Sequence, residues 1–386
     1  MTQVDFAIVG AGIAGVSAAY PLAASGARVL LLERERVPAY HTTGRSAALY
    51  SETYGSAEIR AITVASGPFY RAPPAGFAER PLLSPRGALF TGGLDRVAAM
   101  DEAQRAFAAL VPSVRRTDPA ETARLHPLMR AEAMAGGGIF EPEAEDMDVA
   151  AIHAGFLRGA RAAGAMLRLE AEIVGLERRG GLWHLALAGG DRIEASHVVN
   201  AAGAWADLLG QMAGATPIGL VPKRRTAFTF AAPAGVEIGA LPMVVDFDET
   251  FYFKPEVGRF LGSLADETPS PPCDAQPEEL DLAIAVDRIE THTSLRIPRI
   301  LSKWAGLRSF VADKNLVIGP DPAAPGFFWL AGQGGYGIQT APAAGRIAAA
   351  LALGKPLPAD VAALGVRASA LAPARSGIGS PSGDHG

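Results

Sequence analysis

One cysteine, Cys273 within PSPPCDAQ, stands among the 386 residues. A single thiol closes no internal disulfide and builds no zinc cluster, which fits a reducing compartment. Charge is sparse: Asp, Glu, Lys and Arg make up 19% of the chain, and the net charge is −5. No basic footprint invites nucleic acid. The seven histidines show neither an HExxH motif nor a paired spacing, so no metal centre is expected. The chain does not open with a basic segment and a small-residue cleavage site, so a cytoplasmic location is expected rather than secretion. Unbroken hydrophobic runs are scarce too. The best candidate, residues 6–32, is interrupted by four glycines, Pro21, Ser17, Ser25 and Arg28, which argues against a transmembrane segment. A serine nucleophile is also missing: Gly44-Arg45-Ser46-Ala47-Ala48 lacks the glycine that closes a hydrolase elbow.

What the chain has is apolar bulk, 49% of its residues. That is enough for roughly two to three domain-sized units. Its first segment reads strand, turn, helix, strand. Asp5 to Val9 is a short buried strand, and Gly10-x-Gly12-x-x-Gly15 follows at once. Ile13 to Ala24 reads as a helix, Gly26 ends it, and a second strand closes at Glu33. An acid there lies close to the roughly 20 residues beyond the glycines that a dinucleotide fold requires. Gly10 makes the tight turn, Gly12 admits a pyrophosphate, and Gly15 lets helix and strand pack closely. Pro21 departs from the pattern, since a helix-interior proline costs about 3 kcal/mol unless accommodated. A kink or an early tightening is expected there.

The fingerprint alone does not choose between NAD and FAD. Three later stretches do: Tyr40 to Tyr50, His197 to Ala206 and Phe327 to Gly345. Each is rich in small residues. The last begins a helix near Ile338 whose N-terminus suits negative charge on a reduced flavin. Loops spread along the whole chain suit FAD, because an NAD site is usually completed within one contiguous half. His153 and His197 read as structural, whereas His41 lies inside a cofactor-touching run. The acids of DFDETFYF read as a solvated hairpin loop.

One residue raises a question. In WAGLRSFVAD, Arg308 sits within an otherwise apolar strand, and no acid stands at the alternate positions. An unpaired buried guanidinium costs several kcal/mol or more, so its anion comes from elsewhere in the fold or from a ligand.

VGAGIAG, HTTGRSAA, VNAAGAW, PKRR, FYFKP, WAGLRSF and GQGGYGIQT resemble the D-amino-acid oxidase/glycine oxidase superfamily of flavoproteins. Within it the likeness is greatest to bacterial FAD-dependent D-arginine dehydrogenases, from about Asp5 to about Leu357. The resemblance implies an α/β fold: a Rossmann-like FAD-binding domain with a parallel sheet, and a substrate domain with a mostly antiparallel β-sheet. The first would comprise 1–80, 145–215 and 300–365, the second 81–144 and 216–299. Residues 372–386 read as a disordered tail.

The implied cofactor is non-covalent FAD, since Cys273 is far in sequence from the flavin loops. Its expected contacts begin with Gly10, Gly12, Ile13, Ala14 and Gly15, then Glu33, Arg34 and His41. Thr43, Gly44, Arg45, Ser46 and Ala47 follow, with Val174, Ala202, Gly203, Trp205 and Gly306. The last group is Gly334, Gly335, Tyr336, Gly337, Ile338, Gln339 and Thr340.

The implied reaction is oxidative deamination of a D-amino acid, with electrons passing to a quinone or another acceptor. Such an acceptor could bring the protein to the inner membrane surface. Arg308 would meet the substrate carboxylate with Arg225, Arg224 being the alternative. Tyr252 would donate to the same carboxylate, Tyr54 would close the pocket, Gly335 would offer its carbonyl to the amine, and Gln339 would support the flavin edge or a water. Where the D-arginine enzymes carry a glutamate this chain has Ala88, and where they carry a histidine it has Leu49. With Ser51, Met243 and Val245 these residues would form a less polar distal pocket that prefers neutral, hydrophobic side chains. Glu52, Asp246 or Asp248 would be the acids able to reverse that preference. The alternatives are a glycine or sarcosine-type oxidase using oxygen, a flavin-binding protein without turnover, and a nicotinamide enzyme.

Overall fold

The computed structural model describes residues 2–378. Two large sheets organise them, and the chain passes from one to the other in runs of two or more strands. The eight-stranded sheet runs 173–179, 182–187, 192–200, 2–9, 29–32 and 166–168, with 327–331 and 317–320 added beside 192–200. Its centre is parallel: Val9 stands opposite Leu32 on one side and Asn200 on the other. The strand Val29–Leu32 is apolar at every position and buried throughout, as expected of a parallel strand covered on both faces.

The helix Ile13–Ala24 runs unbroken through Pro21, which falls in its last turn. Proline cannot donate to the Ser17 carbonyl, so one helical bond is lost there. Gly345, on the helix Gly337–Ala352, approaches that same carbonyl, and a Cβ would stand 2.2 Å from it. No helix among the described residues is long and apolar enough to cross a membrane.

The nine-stranded sheet is ordered 268–269, 221–231, 259–263, 252–256, 243–246, 88–91, 138–141 and 115–117, with 300–310 paired to 221–231. Phe228, Phe230, Phe251, Phe253 and Phe260 fill the core beneath it, closed by Leu282, Ala285 and Ile289 of the helix Glu279–His292. The sequence boundary at residue 300 needs correction. Ile300–Phe310 pairs along its length with Val221–Ala231, placing Arg225 opposite Gly306 and Lys223 opposite Arg308. This strand therefore belongs to the substrate sheet. The start of the expected disordered tail is also fixed: Arg375 pairs with Asp313 and donates to the carbonyls of Asn315 and Leu316. Residues 379–386 lie outside the described residues.

Candidate active site

Three connected cavities run from the parallel sheet to the antiparallel one. The first, about 1260 Å³, lies at the end of the fingerprint. Gly10 has φ +105°, and a Cβ there would come within 2.3 Å of the Ala201 carbonyl. A Cβ on Gly15 would lie 1.9 Å from the Gly10 carbonyl oxygen. Steric contact thus fixes both positions. Thr43 accepts from the Ile13 amide (3.0 Å), fastening the residue-43 turn to the helix N-terminus. The Glu33 carboxylate accepts from the amides of Ala11 (2.9 Å) and Glu35 (3.0 Å) and lines the cavity. Arg34 lies over Trp205, 4.8 Å from the ring centroid. His41 packs on the same indole and meets Glu35 at 3.0 Å. Ala202 and Gly203 complete this wall, but Val174 does not. Val174 is exposed, and Ile173 lines the cavity in its place with Ala171 and Glu172. A one-residue offset along a strand exchanges its faces.

The second cavity, about 880 Å³, continues past Gly12, Thr42, Thr43, Ala201 and Gly203. Ile13, Ala14, Ser46, Ala47, Gly306, Gly334, Gly335, Gly337 and Ile338 line it. Arg45 also lines it, yet its guanidinium donates to the carbonyls of Ala275 (3.0 Å) and Ala305 (2.9 Å) and pairs with Asp274. Its charge serves to tie the 274–275 segment down. Gly44 and Thr340 stand one layer back, bonded to the Ala39 and Tyr336 carbonyls. Tyr336 presses edge-on to Tyr54.

Gln333 was not anticipated from the sequence. It lines this cavity, and its Nε2 is buried with no partner. An orphaned buried donor costs about 1–3 kcal/mol, so this amide fits a ligand that brings an acceptor. Two helix N-termini, at Ile13 and Gly337, open on the same space and suit the anionic parts of a dinucleotide.

The third cavity, about 790 Å³, shares Ser46, Ala47, Arg225, Tyr252, Arg308, Gly335 and Ile338 with the second. Arg308 donates through Nη1 to the Tyr54 hydroxyl at 3.1 Å. Tyr54, Tyr252, Tyr336 and the like-charged Arg225 surround it, and among the described residues it has no carboxylate partner. Burial works to lower the pKa of Arg308, but the oxygens of Tyr54 and Tyr252 outweigh it and the balance is upward. Arg225 is pushed down, first by burial and then by repulsion from Arg308. It donates to the Asp266 carbonyl at 2.8 Å and sees Glu267 only at 3.6 Å.

Arg224 points away and is paired with Asp281 (3.0 Å) and Glu278, so Arg225 is the one that faces the cavity. Gly335 faces the clamp. A Cβ there would sit 2.9 Å from Arg308 Nη1 and 3.1 Å from the Tyr54 hydroxyl. Gln339 lines this cavity rather than the second, its amide tied to Thr63 at 2.9 Å.

The distal wall is Leu49, Ser51, Ala88, Phe90, Met243 and Val245. None of the three acids held in reserve reaches it. Glu52 is bonded to Tyr50, Asp246 to Thr250, and Asp248 to Arg96. The acid that does line the cavity is Glu249, exposed, at φ +53° in the turn after Met243–Asp246.

A cavity that begins at a glycine turn before a helix and ends at two arginines fits a flavin-dependent oxidoreductase. The chain belongs to the FAD dependent oxidoreductase family, whose model matches residues 5–351. FAD is its cofactor, and the glycine turn, Glu33 and the orphaned Gln333 amide fit that group. Over 182 residues the chain is 28% identical to "FAD-dependent oxidoreductase domain-containing protein 1" from Bos taurus, covering 42% of this chain and 36% of that protein. The chain thus spans about a third of the length of the curated relatives it first matches, 36% in the bovine case. A longer match, 26% identical over 364 residues, is to the glycine oxidase of Bacillus licheniformis and covers 92% of this chain and 94% of that one. The crystal structure of L-proline dehydrogenase from P. horikoshii superposes with a TM-score of 0.81 at 23% identity, over 96% of this chain and 97% of that one. At that identity the likeness speaks for the fold.

Proposed function

We propose that the protein oxidatively deaminates D-amino acids with neutral, mainly hydrophobic side chains, passing electrons to an acceptor other than oxygen. One observation carries the reading: two guanidiniums, Arg225 buried and Arg308 half-buried, face one cavity next to the flavin site, and among the described residues Arg308 has no acid partner. Every α-amino acid brings the missing anion. A guanidinium matches a carboxylate through paired hydrogen bonds, which fixes orientation in a desolvated site.

In this reading the two arginines hold the carboxylate, and the Tyr252 hydroxyl donates to it. The Gly335 carbonyl accepts from the amine and orients it; the amine reacts in its neutral form, its extra proton having passed to solvent, so that its lone pair is free to form the C=N bond. Tyr54 closes over the clamp and keeps water out. FAD, when bound, supplies the two-electron acceptor; the protein's contribution is orientation and electrostatics. Water hydrolyses the released imino acid to a 2-oxo acid and ammonia. The D configuration rests on the resemblance to D-amino-acid enzymes.

Ala88, Phe90, Met243 and Val245 support the hydrophobic preference. An aliphatic side chain gains about 25 cal/mol per Å² buried, whereas a cationic one would lose water without a buried counter-charge. Glu249 favours a second reading, in which a cationic side chain reaches the rim and meets this acid.

The test is anaerobic flavin reduction across D- and L-amino acids, followed by kcat/KM for D-leucine and D-arginine, with and without an artificial electron acceptor. D-leucine is expected to be the better substrate, turnover is expected to rise well above the rate in air when the acceptor is present, and Ala88→Glu is expected to raise the D-arginine rate. A wild-type preference for D-arginine that Glu249→Gln abolishes would establish the second reading instead.

A further inference from the structure

Glu141 is the most deeply buried acid near the site that the chemistry above does not use. It ends the strand Gly138–Glu141 at 1% exposure and pairs in register with Ala88 of the cavity wall. Among the described residues it has no cationic partner. Instead its carboxylate accepts from Ser51 Oγ (2.7 Å), Thr53 Oγ1 (2.7 Å) and the Glu52 amide (2.8 Å). Burial raises its pKa, and the two hydroxyls work against that rise. A buried carboxylate without a cation is costly unless donors satisfy it. Here all three donors come from consecutive residues of one irregular segment, and Tyr54 is the next residue.

The segment has further ties: Glu52 bonds to Tyr50 (2.7 Å), and the Ser51 and Thr53 hydroxyls bond to each other (3.1 Å). On its far side Gly55 takes φ +96°, and Ser56 then caps the helix Ala57–Arg71. Tyr54 thus lies between the residues that hold Glu141 and the helix cap. Its hydroxyl rests on Arg308 at 3.1 Å and its ring on Tyr336, with centroids 5.0 Å apart.

We propose that Glu141 is a positioning residue for Tyr54: the buried carboxylate ties residues 51–53 to the substrate sheet and so sets the Tyr54 hydroxyl on Arg308. The inference rests on the reading of this cavity as a carboxylate site. It makes the lid an extension of the sheet rather than a free loop. It also explains why an acid is tolerated in this core position, since an apolar residue of like size would leave the Glu52 amide and two hydroxyls without their acceptor.

The test uses the FAD-loaded protein and 4-methyl-2-oxopentanoate, the 2-oxo acid corresponding to leucine, with binding read from the flavin absorption spectrum. Glu141→Ala is expected to weaken binding about tenfold, the scale of one or two lost hydrogen bonds, at unchanged flavin content. Glu141→Gln is expected to bind within about threefold of wild type, because an amide accepts from Glu52 and donates to the hydroxyls. In a Tyr54→Phe background the Glu141→Ala effect should fall below about twofold, since coupled residues are non-additive. If the effect is equally large with and without the Tyr54 hydroxyl, or if Glu141→Ala binds as tightly as wild type, the inference is overturned. Should Glu141→Ala fail to accumulate as folded holoprotein, Thr53→Val carries the same comparison with an expected loss of about threefold. A wild-type protein whose flavin spectrum ignores the 2-oxo acid would overturn the carboxylate-site reading itself, and this inference with it. A wild type that responds, with no change on mutation, would overturn the inference alone.

Discussion

The two ends of the cavity are built on different terms. At the fingerprint end the backbone sets the shape: Gly10 and Gly15 stand where any Cβ would collide with a carbonyl, and one carboxylate, Glu33, completes the turn. At the substrate end side chains set it. Tyr54, Arg225, Tyr252 and Arg308 arrive from four separate segments and converge on one space. The first end is built around a short strand-turn-helix unit, with Thr43 and Ala201 packed against it. The second is a tertiary meeting point, where repulsion from Arg308 adds to burial in pushing the Arg225 pKa down.

The difference predicts which function fails on mutation. Arg308→Met should leave FAD in place and lower kcat/KM for all amino-acid substrates alike. Loss of one member of a buried charged pair typically costs about 2–5 kcal/mol, roughly 30-fold to several thousandfold in rate. Arg225→Met should behave similarly. Flavin content and steady-state kinetics measured on the same preparation check it. Loss of flavin with Arg308→Met would mean that the two ends are not separable.

The same contrast governs what could be read from sequence. The glycine fingerprint was legible because its spacing within one strand-turn-helix unit is fixed, although the carbonyl that excludes a side chain at Gly10 comes from Ala201, far along the chain. Arg308 was legible because a lone charge in an apolar strand is itself an anomaly. Residues whose roles depend on distant approach were not. Ile173 and Val174 differ only in which face the strand turns inward. Gln333 looks like any polar residue in a glycine turn until its buried amide is seen without a partner. Glu249 reads as part of a solvated turn, and only the fold brings that turn to the cavity rim. Ile300–Phe310 was grouped with the FAD-binding segments, yet it pairs with Val221–Ala231, because a strand's own pattern carries its burial, not its partner.

Two buried histidines sharpen the comparison in energetic terms. His153, at the FAD end, bonds to the Ala11 carbonyl at 2.8 Å. His126, beneath the substrate sheet against Phe253, is fully buried with neither ring nitrogen partnered. Burial lowers its pKa to about 4. In the unfolded chain it would protonate near 6.5. Between those values the unfolded state binds the proton and the folded state does not, so stability is full above about pH 6.5 and falls as the pH drops toward 4. The contribution is about 3 kcal/mol over that window. Urea midpoints of wild type and His126→Met at pH 7.5 and 4.5 test it: wild type should lose clearly more than the variant. Parallel losses would show that His126 is not the acid-sensitive group.

The smallest effect on activity is expected at Arg224, and it tests the comparison within a single strand. Arg224 and Arg225 are adjacent, so the pleat sends them to opposite faces. Arg225 looks into the cavity, while Arg224 closes an ion cluster with Asp281 and Glu278 of the helix that covers the substrate core. Its charge is answered inside the protein, and no ligand is needed to balance it. Arg224→Met should therefore keep kcat/KM within about twofold while lowering stability by about 1–3 kcal/mol, the cost of leaving a half-buried carboxylate without its partner. Thermal unfolding and kinetics of this variant beside Arg225→Met make the contrast direct. If Arg224→Met instead lost turnover at unchanged stability, the strand would have to turn its other face to the substrate. The register that sets Arg225 opposite Gly306 would then be wrong.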